Sequence, residues 1–348
     1  MPTPRPLGLP PGVVWPVGVD PTGLTGPTEG HARGKGWRRT SRGLFVPGDV
    51  ELTTEQRIAE AAAVLPAYGG VTGWAALRWL GATWFDGVRQ GELLPVTLAV
   101  ADRSIRPQRT AGIATSEARM SPTEIVVHRG LRVTVAIRSL FFEMRYAATE
   151  AEAVQAADMA AYADLVSRSE LRAFLSINPG WTGVPRARTA GTDMDENAWS
   201  PIEVTMRRIW QHEVGLPRPL CNRPVFDLHG NHIATPDLID PVAGVVGEYN
   251  SALHLEGAQR AIDVRREAAF RAAGLEFAEM ITGDLASPFP FTQRLHAAYA
   301  RAARIPATDR RWTIEPPAWW IPTFTVEQRR NLTPDQRERL LRYRQRAG

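Results

Sequence analysis

Cysteine is almost absent, with Cys221 the only one in 348 residues. A single thiol excludes a disulfide framework and a cysteine-built zinc site. Lysine is nearly missing too: of 41 basic side chains, 40 are arginine and one is Lys35. Arginine stays protonated, so it can stabilise an anion but cannot serve as a general base. No run of about 18 apolar residues occurs, which argues against a membrane-spanning helix and a membrane partner. The opening MPTPRPLGLPPG places Pro and Gly where a signal peptide needs an unbroken apolar stretch. A cytoplasmic location is therefore expected. The exchange of lysine for arginine, with abundant Ala, Gly and Pro, fits a GC-rich genome and carries little physics about function.

The remaining composition is that of an ordinary globular chain, 44% hydrophobic and 22% charged. A formal charge of +4 and a pI near 9.6 permit nucleic-acid binding without demonstrating it, since Asp and Glu still number 37. At this length more than one core is expected. Periodicity and punctuation suggest four segments: residues 1–50, basic and Pro/Gly-rich; 51–190, mixed helix and strand with a linker; 195–304, a second folded domain; and 305–348, a Pro/Trp/Arg-rich tail ending in a helix.

The most informative stretch runs from Ser200 to Ile281 and reads as helix, strand, strand, strand, helix, strand, with VFDLHGN the first strand. IATPDLID and VVGEYN, separated by the turn-like PVAG, suggest a hairpin. A symmetric four-residue loop over 241–244 pairs Asp240 with Val245 and thereby sets Asp237 opposite Glu248. Cross-strand partners have Cβ atoms about 4.5–5.5 Å apart, and like charges there destabilise a sheet. Two acids kept in that position point to a cation between them, and hard divalent ions such as Mg²⁺ take such oxygen ligands. Asn250, two residues on, shares the face of Glu248.

This order of elements, with PD at Pro236-Asp237 and E-Y-N at Glu248-Tyr249-Asn250, resembles the PD-(D/E)xK nuclease superfamily. Within it the stretch is similar to the very-short-patch-repair-like group, over about a quarter of the chain. The resemblance implies an αβββαβ restriction-endonuclease-like core and Mg²⁺- or Mn²⁺-dependent hydrolysis of DNA. Asp237, Glu248 and Tyr249 are the implied metal contacts, Glu203 the acid on the first helix, and His254 a proton acceptor. Asp263 and Arg266 match the D-x-x-R of the following helix, with Arg266 in reach of a phosphate. Asn250 and Ser251 depart from the pattern, because the wider superfamily has lysine there. With no lysine nearby, loss of activity is an open reading.

Simpler roles compete at each position. Glu203 also completes a capping box, S-P-I-E, with Pro201 at the first helical position. Asp263, Arg266 and Glu267 are spaced as surface ion pairs. Asp227 to His232 reads as a Gly-Asn hairpin turn rather than a His-based metal site. Thr54 and Thr72 read as caps of the helices EQRIAEAAAVL and GWAALRWLG. Trp74, Trp79 and Trp84 lie beside Leu77 and Leu80 and read as core.

Nearer the N-terminus, Lys35, Arg38, Arg39 and Arg42 crowd before the strand Leu44-Phe45-Val46. The run Arg42-Gly43-Leu44-Phe45-Val46 resembles the R-G-x-Y/F-V of AbiEi-type antitoxin domains. The similarity extends from VTGWAAL at Val71 to VTVAIRSLFFE ending at Glu143. It implies a small winged-helix-like DNA-binding segment whose basic residues contact phosphates; a basic loop capping the next domain is the alternative. The expected fold class is α+β and multidomain. Three functions follow: a metal-dependent DNA endonuclease, a catalytically inactive DNA-binding regulator or antitoxin, or a partner of a toxin in a type IV toxin–antitoxin or defence system. A nuclease cutting both strands would need two active sites, hence a homodimer.

Overall fold

The computed structural model describes residues 6–100, 112–250 and 258–346, with the side chains of residues 258–264, 307, 345 and 346 outside that description. The chain is α+β and divides into two compact units, one of residues 1–148 and 170–188, the other of residues 149–169 and 189–348.

In place of the expected winged helix, the basic stretch forms one 3-10 turn at His31–Arg33 and an antiparallel hairpin, β1 (Trp37–Ser41) and β2 (Leu44–Pro47). Gly30 and Gly34 bound the turn, and a glycine costs a helix about 1 kcal/mol relative to alanine. Nor does this segment stand apart. Helix α1 (Thr54–Ala62) is capped by Thr53, one residue before the expected Thr54. Its Gln56 exchanges hydrogen bonds with the Val14 backbone at 2.8 and 2.9 Å. Val13, Trp15 and Leu44 enter the same core as Ile58, Val71 and Leu98.

The next elements are β3 (Gly70–Thr72), α2 (Gly73–Trp79), a small hairpin of β4 (Val88–Arg89) and β5 (Glu92–Leu93), β6 (Val96–Ala99), β7 (Ile113–Ser116), β8 (Ile125–His128), β9 (Leu131–Thr134) and α3 (Ala136–Tyr146). Five of these strands form one sheet, in the order β7-β6-β3-β9-β8. Trp74 and Trp79 are core residues, as the periodicity suggested. Thr72 was expected to cap α2. Its side chain makes no cap hydrogen bond; instead Thr134 Oγ1 donates to it, and the Trp74 N–H at the head of α2 donates to Glu143 at 2.7 Å. The stretches that begin at Val71 and end at Glu143 thus meet, with Glu143 satisfying a helix end.

Helix α4 (Glu150–Tyr162) belongs to the second unit, α5 (Arg168–Ile177) mostly to the first, and α6 (Val184–Asp193) spans the division. Helix α7 (Pro201–Arg208) runs into a π-helical turn at Ile209–Glu213. It is anchored by Arg207, fully buried, which meets the equally buried Asp158 of α4 at 2.7 Å. The strands β10 (Leu220–Cys221), β11 (Val225–Asp227), β12 (His232–Ala234), β13 (Leu238–Asp240) and β14 (Val245–Asn250) precede α8 (Ala258–Ala273) and β15 (Glu276–Ile281).

The central sheet runs β10-β13-β14-β15, antiparallel except for the parallel β14–β15 pair that the α8 crossover permits. Its first strand is Leu220–Cys221, not the expected VFDLHGN. That sequence instead forms a hairpin with β12, built around Gly230 and the Asp227 carboxylate. The single strand expected over IATPDLID is split at Pro236, which has no N–H to give a ladder.

The tail is integral to the second unit. After α9 (Phe289–Ala302), β16 (Trp312–Thr313) pairs with β11, and Trp320 packs edge-on against Phe226 at 5.1 Å. Helices α10 (Val326–Arg330) and α11 (Pro334–Leu340) follow, with Arg329 fully buried against Asp164 at 2.6 Å. Among the described residues no helix is long and apolar enough to cross a membrane.

Gly247 shows how tightly the central sheet is covered. A Cβ there would come within 2.8 Å of the fully buried Trp210 ring. Gly247→Ala is expected to destabilise the protein by about 1–3 kcal/mol, as overpacked cores do. Urea unfolding checks it: an unchanged midpoint would mean that Trp210 can move aside freely.

Candidate functional site

The site begins with a loop. Asp240 Oδ1 accepts the N–H groups of Val242 and Ala243 at 2.9 and 3.0 Å, and Gly244, at φ +77°, returns its N–H to the Asp240 carbonyl. The loop pairs Asp240 with Val245, Ile239 with Val246 and Leu238 with Gly247, the register anticipated from the four-residue turn. One residue beyond the ladder stand Asp237 and Glu248. Asp237 Oδ2 accepts the Tyr249 N–H at 2.8 Å. The parallel ladder adds a third acid, since Glu248 pairs with Glu279. Extended by that one residue, the register sets Asp237, in the bend before β13, alongside Glu248 of β14 and Glu279 of β15. Ile239, Val246 and Phe277 share the face and pack with Phe270 of α8.

Each acid has a partner. Arg266, from α8, meets Glu248 at 2.7 Å and also donates to the Thr235 carbonyl. Asn250 Nδ2 donates to Glu279 Oε1 at 2.9 Å, so the residue in the expected lysine position holds an acid of the row. The Tyr249 hydroxyl meets Thr282 Oγ1 at 3.0 Å. His254 lies outside the described residues, as does the side chain of Asp263.

Glu203 is held from the other side of the chain. Ser200 caps α7, and the Glu203 carboxylate reaches back to the Trp199 N–H at 2.7 Å, one residue before the cap that a regular box would use. Asn222 Nδ2 donates to Glu203 Oε2 at 2.6 Å, while the Asn222 N–H donates to the Asp237 carbonyl at 2.9 Å. Asn222 has φ +47°, a left-handed conformation that asparagine tolerates better than most residues. Sequence reasoning missed Asn222 and Glu279. The first has no motif around it, and the second depends on a register set across a helix.

Glu203 is buried and Asp237 half-buried, and among the described residues each accepts hydrogen bonds from neutral donors only. Burial, and then the charge of Asp237, push the Glu203 carboxyl up to about 8. Desolvation also raises Asp237, against the Tyr249 N–H and the Arg266 charge. Two acids so placed share a need for a proton or a cation. A Mg²⁺ site needs few protein donors, because the ion keeps several waters and takes one or two carboxylates. Asp237 and Glu248 fit that donor chemistry. Among the described residues, no group of three or more His, Cys, Asp or Glu converges as a complete ligand set.

The N-terminal basic residues divide. Arg38 is bound by Glu60 through two hydrogen bonds of 2.7 and 2.9 Å. Arg39 and Arg42 are exposed on the β1–β2 hairpin, and Lys35 is exposed just before it.

The raised Glu203 carboxyl has a consequence for stability. Between the ordinary range of a glutamate and about pH 8, the folded state holds a proton that the unfolded chain has released. Stability from this group therefore falls as pH rises through that window. Glu203→Gln is expected to remove this contribution, so that the variant gains on the wild type from pH 5 to 8.5 in denaturant titrations. Parallel stability profiles would contradict the assignment.

Compared with known proteins, the chain matches no family model, no curated protein and no solved structure.

Proposed function

We propose that the second unit hydrolyses phosphodiester bonds in DNA with a divalent cation, Mg²⁺ or Mn²⁺. The observation that carries this reading is the placement of Asp237 against Glu248, beside the buried Glu203. The cation would supply Lewis acidity and an activated water, which an arginine-rich site without lysine cannot provide. Asp237 and Glu248 hold it. Glu203 shares the proton demand of Asp237 and positions it through Asn222. Arg266, paired with Glu248, is the cation of α8 in reach of a phosphate. His254 is the proposed proton acceptor. Lys35, Arg39 and Arg42 of the first unit supply phosphate contacts, whereas Arg38 is committed to Glu60.

A second reading rests on a specific contact. Arg266 already neutralises Glu248, and Asn250 engages Glu279, as in a site kept for binding alone. In that case the protein is a DNA-binding regulator or antitoxin, with a toxin as its partner.

Conversion of supercoiled plasmid to nicked or linear DNA distinguishes them. Wild type is expected to cut in Mg²⁺ or Mn²⁺, and Asp237→Ala to fall to background while binding DNA normally. Salt-sensitive DNA binding without metal-dependent cutting by either protein would overturn the nuclease reading in favour of the second.

A further inference from the structure

The first unit holds a cleft of about 830 Å³, of which the proposed function uses only Arg39 and Arg42, as phosphate contacts. Clefts of about 300–1,000 Å³ are typical of small-molecule sites. Its basic side carries Arg39 and Arg42 from the hairpin and Arg57 from α1. Arg38 and Glu60 also line it, but they neutralise each other. Three arginines remain, with no further acid among the described residues of the lining. The other side is aliphatic, with Leu52, Leu94, Val96 and Ile113.

Two features show a site built in advance. Arg57 is fixed by donation to the Leu94 carbonyl and by stacking over Trp74 at 5.3 Å. Its charge is partly desolvated, with Asp86 the acid that favours it. Ser41 lies where the β1–β2 ladder shifts register; it is only 6% exposed, and its hydroxyl has no hydrogen-bond partner among the described residues although it lines the cleft. A buried hydroxyl left unpaired costs about 1–3 kcal/mol. A ligand oxygen would satisfy it.

We infer that this cleft binds a phosphomonoester carrying an organic body. Arg39, Arg42 and Arg57 face the phosphate, Ser41 Oγ donates to one of its oxygens, and the aliphatic side covers the rest of the ligand. Guanidinium groups match phosphate through paired hydrogen bonds. Three cations exceed the single charge of a carboxylate or an internal phosphodiester, whereas a phosphomonoester carries about −1.5 to −2 at neutral pH. The source is either a free mononucleotide or the phosphorylated end of an oligonucleotide.

Calorimetric titration of the full chain with dAMP, inorganic phosphate, and one oligonucleotide bearing either a 5′-phosphate or a 5′-hydroxyl tests this. The dAMP or the 5′-phosphorylated oligonucleotide is expected to bind at least about tenfold more tightly than inorganic phosphate, and whichever binds better identifies the source. Exchanging both exposed arginines, Arg39→Ala with Arg42→Ala, is expected to weaken binding about tenfold or more. Ser41→Ala is expected to weaken it about three- to tenfold without lowering the unfolding midpoint, because its hydroxyl has no partner among the described residues. No binding of either organic phosphate at millimolar concentration would overturn the inference. So would equal affinity for inorganic phosphate, or a Kd unmoved by both variants. The cleft lies wholly in the first unit, so these results stand whether or not the second unit cuts DNA.

Discussion

The second unit depends on the register of one hairpin. Because side chains alternate faces along a strand, a slip of one residue would exchange the two faces of β14. Glu248 would then turn away from Arg266, and Val246 from Phe270. Asp240 prevents the slip at several points. Its carboxylate closes the loop through two backbone N–H groups, its carbonyl accepts the Gly244 N–H, and Tyr299 of α9 donates to its second oxygen at 2.6 Å. Burial and the bond to Asp240 raise the Tyr299 hydroxyl, so it remains a donor. Gly247 then meets the Trp210 ring on one face while Val246 joins the core beneath α8 on the other.

Asp158, Asp164 and Asp284 in this unit are met by arginine, unlike Asp240, whose donors are neutral. Burial pushes Asp158 up to about 7 even though Arg207 lies 2.7 Å away. Asp164 is also largely buried, yet Arg344 and Arg329 outweigh the burial and its carboxyl stays below the ordinary range. Such pairs fix helices to one another, since removal of one partner leaves an uncompensated charge. Glu203 and Asp237 differ because their hydrogen bonds come from neutral groups. That contrast, more than the presence of acids, sets the candidate site apart from the ion pairs that hold the fold.

In the first unit similar arginines do different work. Arg38 is part of the packing, through Glu60 and the neighbouring Gln56, whereas Arg39 and Arg42 extend from the same hairpin. A basic sequence run is therefore not one feature. The alternation of a strand divides it between a structural ion pair and a surface able to meet an anion.

Local rules settled a good deal in advance. The α+β class, the helix at Pro201, the hairpin at Pro241 and the pairing that opposes Asp237 to Glu248 all follow from turn length, capping and a two-residue period. The cores around Trp74 and Trp79 were legible for the same reason. Contacts between distant segments were not. Glu279 joined the acidic row through a parallel register fixed across α8, and Asn222 joined Glu203 to Asp237 from the bend after a two-residue strand with no pattern of its own. Pro236 split the strand expected over IATPDLID, and its first part, β12, pairs with β11 in another sheet that β16 of the tail completes. Glu143 took over the cap expected of Thr72, 69 residues from the Trp74 N–H it accepts. Sequence determines what a residue and its near neighbours can do; tertiary packing decides which of those options is used, because long-range hydrogen bonds and burial outweigh local preference.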